Sequence, residues 1–345
     1  MSARSSSRRL LAPAGVIALV ALMAVAPGVM GSAYWYAIFT TVIINVLLAT
    51  SLRTIFLVGR ISLGHVGFML VGAYGSALLS MRVGWPLWAT IPVAALMAAA
   101  VALIVAYPFL RVAGVYFAML TLLAAETLRL VAFNWKSMTG ASFGLSGIPG
   151  PGPLHFPLLG AIEFGRVDRY YYLALLVVVP SLLVLYLLER SDLGLKWRAI
   201  RDGEPLAQSV GVPVMTYKMA NFVIACFFAG LAGALYAHGQ RGLDAEATSR
   251  FGALMSMYLV VYMVVGGEGS FLGPAVGATL LTLISQLANS AKEYQPIVVG
   301  VIAILATIAM PDGIAGGAGR AWRRWGPAAA RAKPREVEHA GAGDS

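Results

Sequence analysis

The run Trp85-Pro86-Leu87-Trp88-Ala89-Thr90-Ile91-Pro92-Val93-Ala94-Ala95-Leu96-Met97-Ala98-Ala99-Ala100-Val101-Ala102-Leu103-Ile104-Val105-Ala106-Tyr107-Pro108 contains no charged side chain. Coiled as an α-helix it would extend about 36 Å, enough to cross the roughly 30 Å hydrocarbon core of a bilayer. Apolar segments of the same kind lie on both sides of it, at 10–30, 34–52, 62–80, 115–133, 170–188, 218–238, 251–265, 274–291 and 295–310. Composition agrees with them. Of 345 residues, 59% are hydrophobic and 12% charged, against about 25% charged in a soluble domain. Mean hydropathy is +0.79. A soluble surface cannot be built from so few charges, so the chain reads as an all-α polytopic membrane protein with about ten transmembrane helices.

Basic residues set the orientation, because Lys and Arg accumulate in cytoplasmic connections. With both termini inside, the inner segments hold Arg4, Arg8, Arg9, Arg53, Arg60, Arg111, Arg190, Lys196, Arg198, Arg201, Lys218, Arg320, Arg323, Arg324, Arg331, Lys333 and Arg335. The outer segments keep only Arg82, Arg129, Lys136, Arg166, Arg169, Arg241, Arg250 and Lys292. The organisation predicted is a basic cytoplasmic N-terminus (1–9), one transmembrane domain (10–310) and a basic, disordered cytoplasmic tail (311–345). Within the domain, 134–169 is a Gly/Pro-rich external loop and 189–217 a polar cytoplasmic loop. A rival reading of the first segment is a signal peptide, with Arg8-Arg9 before the apolar stretch and Ala24-Val25-Ala26 as a cleavage site. The net charge of +10 flanks apolar runs, which suits anionic lipid and not nucleic acid.

No lysine follows a glycine, so the Gly-x-x-x-x-Gly-Lys-Ser/Thr loop that cradles phosphates is absent. The four histidines are scattered without metal-ligand spacing, and the single Cys226 forbids an intrachain disulfide. Neither a catalytic residue nor a metal or cofactor is expected. An ion-coupled secondary transporter would need intramembrane acids as coupling sites, and only Glu126 qualifies. Glu126 and Arg129, three apart, can pair on one face of the fifth span. Asn45, Asn221, Gln286 and Asn289 read as helix-bridging groups or path-lining ones. Ser62, Gly64, His65 and Gly67 open a span with closely spaced glycines, permitting tight helix contact or a broken helix. A faint echo of 58–64 recurs at 265–273, hinting at duplication.

In the cytoplasmic loop a short helix is predicted over 203–210. Asp202 would cap it, Glu204 would suit its positive end and Pro205 would sit in the first turn. Gly211 would stop it, and Leu206, Ala207 and Val210 would form one small apolar face.

Four blocks in order resemble the permeases of branched-chain amino acid importers of the LivM type. They are Gly59-Arg60-Ile61-Ser62-Leu63-Gly64-His65-Val66-Gly67-Phe68 with Gly72-Ala73-Tyr74; Gly114-Val115-Tyr116-Phe117-Ala118-Met119-Leu120-Thr121-Leu122 with Glu126; Thr139-Gly140 with Gly144-Leu145-Ser146-Gly147-Ile148-Pro149; and Arg198-Ala199-Ile200-Arg201-Asp202 through Gly211, followed by Tyr217-Lys218 and Ala229-Gly230-Leu231-Ala232-Gly233. Two loops depart from the family's pattern. Ala141 and Phe143 stand where the external loop has Gly and Asp, and Leu206 replaces the first of two alanines. The resemblance implies a permease subunit of an ATP-binding-cassette importer in the inner membrane. Its partners would be a second related permease, two cytoplasmic ATPases that bind the ATP, and a periplasmic binding protein. The cargo would be a branched-chain or related amino acid, with urea, short amides or aromatic acids as alternatives. Translocation-path candidates are then Ser62, Gly64, His65, Gly67, Glu126, Gly144 and Ser146. The ATPase-coupling loop would use Arg198, Asp202, Glu204, Leu206, Ala207, Val210 and Gly211.

Overall fold

The computed structural model describes residues 23–152, 154–156, 160–162, 166–247 and 249–287, together with 297, 300, 301 and 313. The chain order is α1 (Ala33–Phe56), α2 (His65–Arg82), α3 (Leu87–Leu110), α4 (Val115–Asn134), β1 (Leu145–Ser146), β2 (Leu154–Phe156), β3 (Gly160–Ile162), α5 (Val167–Arg190), α6 (Asp192–Asp202), α7 (Glu204–Ser209), α8 (Val214–Gln240), β4 (Gly242–Leu243), α9 (Ala253–Gly266) and α10 (Gly273–Leu287). Eight of the expected spans coincide with helices. Among the described residues, α1, α3, α4, α5 and α8 are long and apolar enough to cross a membrane. Residues 23–30 are helical, whereas the rest of the 10–30 segment, nearly all of 295–310 and both terminal regions lie outside the described residues. Two ladders of two strands each, β1 with β4 and β2 with β3, interrupt an otherwise helical chain.

Two helices form the centre. α1 packs on α5, α8, α9 and α10, while α8 packs on α2 and α3. Lipid gives helices no hydrophobic reason to associate, so their contact depends on close approach of backbones and on polar pairs. Small residues supply the approach: a Cβ on Gly72 would lie 2.1 Å from the Gly230 carbonyl oxygen, and one on Gly230 would lie 2.4 Å from the Ala98 Cβ. Polar pairs supply the rest. Asn45 Nδ2 donates to Thr282 Oγ1 at 2.9 Å, Asn221 Nδ2 donates to the Thr54 carbonyl at 2.8 Å, and Ser51 Oγ meets His65 Nε2 at 2.7 Å. Asn45 and Asn221 therefore bridge helices, one of the two roles the sequence allowed; Asn289 lies outside the described residues. Cys226 is fully buried in α8.

The bundle has two dissimilar ends. One, the basic end, gathers the α1–α2, α5–α8 and α9–α10 connections. Arg53 Nε there donates to the Glu268 carbonyl at 2.9 Å, tying the end of α1 to the α9–α10 connection. The other, the loop end, carries the turn of helix Lys136–Thr139 and the β1–β4 ladder.

Candidate functional site

The basic end is built from a segment that the sequence left largely as loop. Ser191 caps α6, accepting from the Leu193 amide at 3.2 Å, with Asp192 in the first turn and Arg201 in the last. Trp197 and Ile200, three apart on one face, are buried against Leu57, Val58, Ala207 and Val214. Trp197 Nε1 donates to the Tyr217 carbonyl at 3.1 Å. Nearby, Lys196 Nζ donates to the Tyr217 hydroxyl at 2.7 Å, a bond that raises the lysine pKa.

The short helix expected over 203–210 is present as α7, with two corrections. Asp202 does not cap it. Asp202 is the last residue of α6, and Gly203, extended at φ −179°, holds the cap position without a side chain to offer. Nor do the three apolar residues share a face. Leu206 and Val210 are 70% and 73% exposed, while Ala207 is 2% exposed. A step of about 100° per residue turns Ala207 away from Leu206, toward the wall made by Trp197 and Ile200. Gly211, at φ +83°, ends the turn as its position suggested.

Ion pairs fasten this segment to the bundle. Arg53 is bidentate on Glu189, with Nη2 at 2.9 Å from Oε1. Arg198 approaches the same carboxylate at 3.8 Å. Arg201 lies 3.8 Å from Glu268 and stacks over Phe56 at 4.2 Å. Glu204 Oε1 accepts from Arg60 Nη2 at 3.2 Å and also from Lys218 Nζ. Of these groups the sequence singled out Arg198 and Glu204. Arg53 figured only as charge on the inner side, Arg60 and Lys218 as inner charge and as members of the quoted blocks without a role of their own, and Glu189 only as the edge of the cytoplasmic loop. The signal available was an acid within one or two residues of a span boundary, beside surplus base.

Of the seven path candidates, Ser62, Gly64 and Gly67 lie where α2 meets α4, and His65, at the start of α2, turns instead to Ser51 of α1. Ser62 Oγ accepts from the Gly64 amide at 3.2 Å, and Gly64 caps α2 so closely under α4 that a Cβ would stand 2.4 Å from the Thr121 carbonyl oxygen. Gly67 presses on Ala125, where an added Cβ would come within 2.7 Å of the Ala125 Cα. Glu126 follows in α4 and takes Arg129 Nε at 2.9 Å, as the three-residue spacing predicted, while Arg129 Nη1 donates to the Ala245 carbonyl at 2.7 Å. Gly144 and Ser146 are elsewhere, at the loop end, where Leu145 and Ser146 pair with Leu243 and Gly242. Ala141, standing where a glycine was expected, keeps a left-handed backbone at φ +54°, and Phe143 beside it is exposed. A cavity of about 740 Å³ also opens at this end between α1, α5 and α8, bounded by Tyr36, Asp168, Tyr170, Tyr236, His238 and Arg241. None of those residues was a sequence candidate.

The family model for the permease component of branched-chain amino acid transport systems matches residues 34–308. The high-affinity branched-chain amino acid transport system permease protein LivM of Escherichia coli is 33% identical over 301 residues, covering 80% of this chain and 69% of the relative. Its counterpart from Salmonella typhimurium gives the same identity and coverage. The guanosine ABC transporter permease protein NupQ of Bacillus subtilis is 27% identical over 286 residues, 74% of this chain and 85% of that one. No solved structure matches the chain.

Proposed function

Because the chain belongs to the family of permease components of branched-chain amino acid transport systems, we propose that it forms the membrane passage of an ATP-driven importer for branched-chain or closely related amino acids. The observation that carries this reading is the match over 34–308, which takes in every helix from α1 to α10. The importer sits in the inner membrane with the basic end in the cytoplasm, in keeping with the excess of Lys and Arg there. A second related permease completes the passage. Two ATPase subunits dock on the basic end and a binding protein delivers cargo to the loop end. ATP is bound and hydrolysed by those partners, since this chain has no phosphate-cradling loop.

Leu206 and Val210 are the docking pair. Both project into water from a helix whose other side is fixed to the bundle, and an apolar pair so displayed suits a partner's groove. Along the passage, Glu126 is the strongest candidate. Its side chain remains partly exposed in the middle of α4, and a charge facing lipid at that depth costs roughly 2.5–3.5 kcal/mol.

Reconstitution in proteoliposomes with the cognate ATPases and binding protein tests the reading. Labelled leucine is expected to accumulate only with ATP, and an excess of guanosine is expected not to compete. Uptake of guanosine with no uptake of leucine would reassign the cargo. Leu206→Arg together with Val210→Arg is expected to abolish co-purification of the ATPases while leaving membrane insertion intact. Full ATPase recovery with the double variant removes α7 from the docking surface.

A further inference from the structure

Two buried cations of the basic end converge on one surface carboxylate. The side chains of Arg60 and Lys218 are 7% and 4% exposed, whereas that of Glu204, which receives both, is 41% exposed. The cations are built into the bundle, and the anion belongs to α7. Little else holds α7 in place: among its six residues only Ala207 is buried, and no side chain caps its first turn.

Each cation leads to a different part of the passage. Arg60 donates a second bond to the Val112 carbonyl at 2.8 Å, tying the α1–α2 connection to the α3–α4 connection. That same α1–α2 connection runs on to Leu63, whose amide donates to Thr121 Oγ1 at 3.1 Å, and to Gly64, seated against α4. Lys218 lies one turn before Asn221, which holds the Thr54 carbonyl of α1. Withdrawing the carboxylate from this junction would strand two positive charges in a site with little water, which is strongly unfavourable. The bundle must follow α7 or release it at high cost.

We infer that Glu204 is a positioning residue that makes the cytoplasmic ends of α8 and of the 57–64 segment move with α7, a role that rests on the reading of α7 as the ATPase-docking helix. The carboxylate is a latch: it carries displacement of the docking helix into the α2–α4 contact beside Ser62, Gly64 and Gly67. Packing of Ala207 alone could not do this, because an apolar contact can slide, whereas two buried cations cannot give up their shared anion.

The test uses the assembled importer in proteoliposomes, measuring ATP hydrolysed and leucine imported in the same vesicles. In vesicles matched for ATPase content, Glu204→Gln is expected to lower the leucine imported per ATP hydrolysed at least tenfold. Coupling at the wild-type ratio overturns the latch. A purely structural role predicts that Glu204→Gln combined with Lys218→Met, which removes one stranded charge, restores coupling; the latch predicts that it does not, and restoration overturns it. If Glu204→Gln fails to accumulate, Glu204→Asp answers the same question, with at least a threefold loss of coupling expected and full coupling refuting the proposal. Failure of the docking reading is separately visible, because Leu206→Arg would then leave ATPase co-purification untouched.

Discussion

The two ends of the bundle are fastened by different chemistry. At the loop end most fasteners are hydrogen bonds to backbone carbonyls, and the ion pairs there, Arg129–Glu126 and Arg166–Asp168, join near neighbours in sequence. His238 donates from Nδ1 to the Pro149 carbonyl at 2.9 Å and accepts on Nε2 from Ser76 Oγ at 2.8 Å. Tyr170 donates to the Leu235 carbonyl, the Ile148 amide reaches the Arg241 carbonyl at 3.2 Å, and β1 pairs with β4. At the basic end ion pairs join elements far apart in sequence, and two of their acids, Glu204 and Glu268, remain in reach of water. Neutral bonds of fixed direction hold one geometry and fail when it changes. An ion pair can shift by an ångström with modest loss, because the attraction falls slowly with distance, so its partners can travel together without parting. One end is made to keep a shape and the other to transmit a displacement.

The largest expected effect compares two glycines with left-handed backbone, one from each end. Gly144 has φ +67°, and a Cβ there would lie 2.1 Å from the Leu243 carbonyl oxygen; Gly211 has φ +83° with nothing within 4 Å. Gly144→Ala is expected to destabilise by at least about 3 kcal/mol, through collision with backbone added to strain. Gly211→Ala is expected to cost only about 1 kcal/mol, from strain alone. Thermal unfolding in detergent measures both, and equal losses would erase the contrast between a crowded end and an open one.

A smaller effect is expected from His238→Ala, which leaves the Pro149 carbonyl and the Ser76 hydroxyl without their shared partner. Loss of about 2 kcal/mol follows from two buried groups left unsatisfied. Glu204→Gln, which leaves two buried cations facing a neutral amide, should instead be told apart by its loss of coupling. A His238 variant that uncouples ATP from transport without loss of stability would mean that the loop end also transmits motion.

The smallest effect is a response to salt. Raising ionic strength from about 0.1 M to about 1 M shortens the screening length from about 10 Å to about 3 Å. Amide exchange over 192–211 is expected to quicken several-fold, led by the half-exposed Arg201–Glu268 pair, while exchange over 140–149 stays constant. A parallel rise at both ends would show that the neutral fasteners depend on charge after all.

Much of this was legible in the sequence. The spans were readable because lipid leaves a one-dimensional record, a run of about 20 uncharged residues, that does not depend on knowing any contact. The pairing of Glu126 with Arg129 was readable because helical spacing decides it locally. Helix α6 was missed although Ser191, Asp192, Leu193, Trp197 and Ile200 spell a cap and an apolar face; its polar composition made the region look like linker. The orientation of Ala207 could not be read, because which way α7 turns is set by Trp197 and Ile200, residues seven or more positions away. For the same reason the convergence of Arg60 and Lys218 on Glu204 was hidden: residues 144 and 14 positions from that carboxylate's own meet it only after folding.

The burial of Cys226 has a practical consequence. It is the sole cysteine of the 345 residues, and its place deep in α8 keeps the sulfur away from water-soluble maleimides in the folded chain. A thiol introduced at Leu206, Val210 or Phe143 would therefore be the one such reagents find. Each face of the molecule can be interrogated by chemical labelling in an otherwise native background, without first replacing a side chain buried in α8.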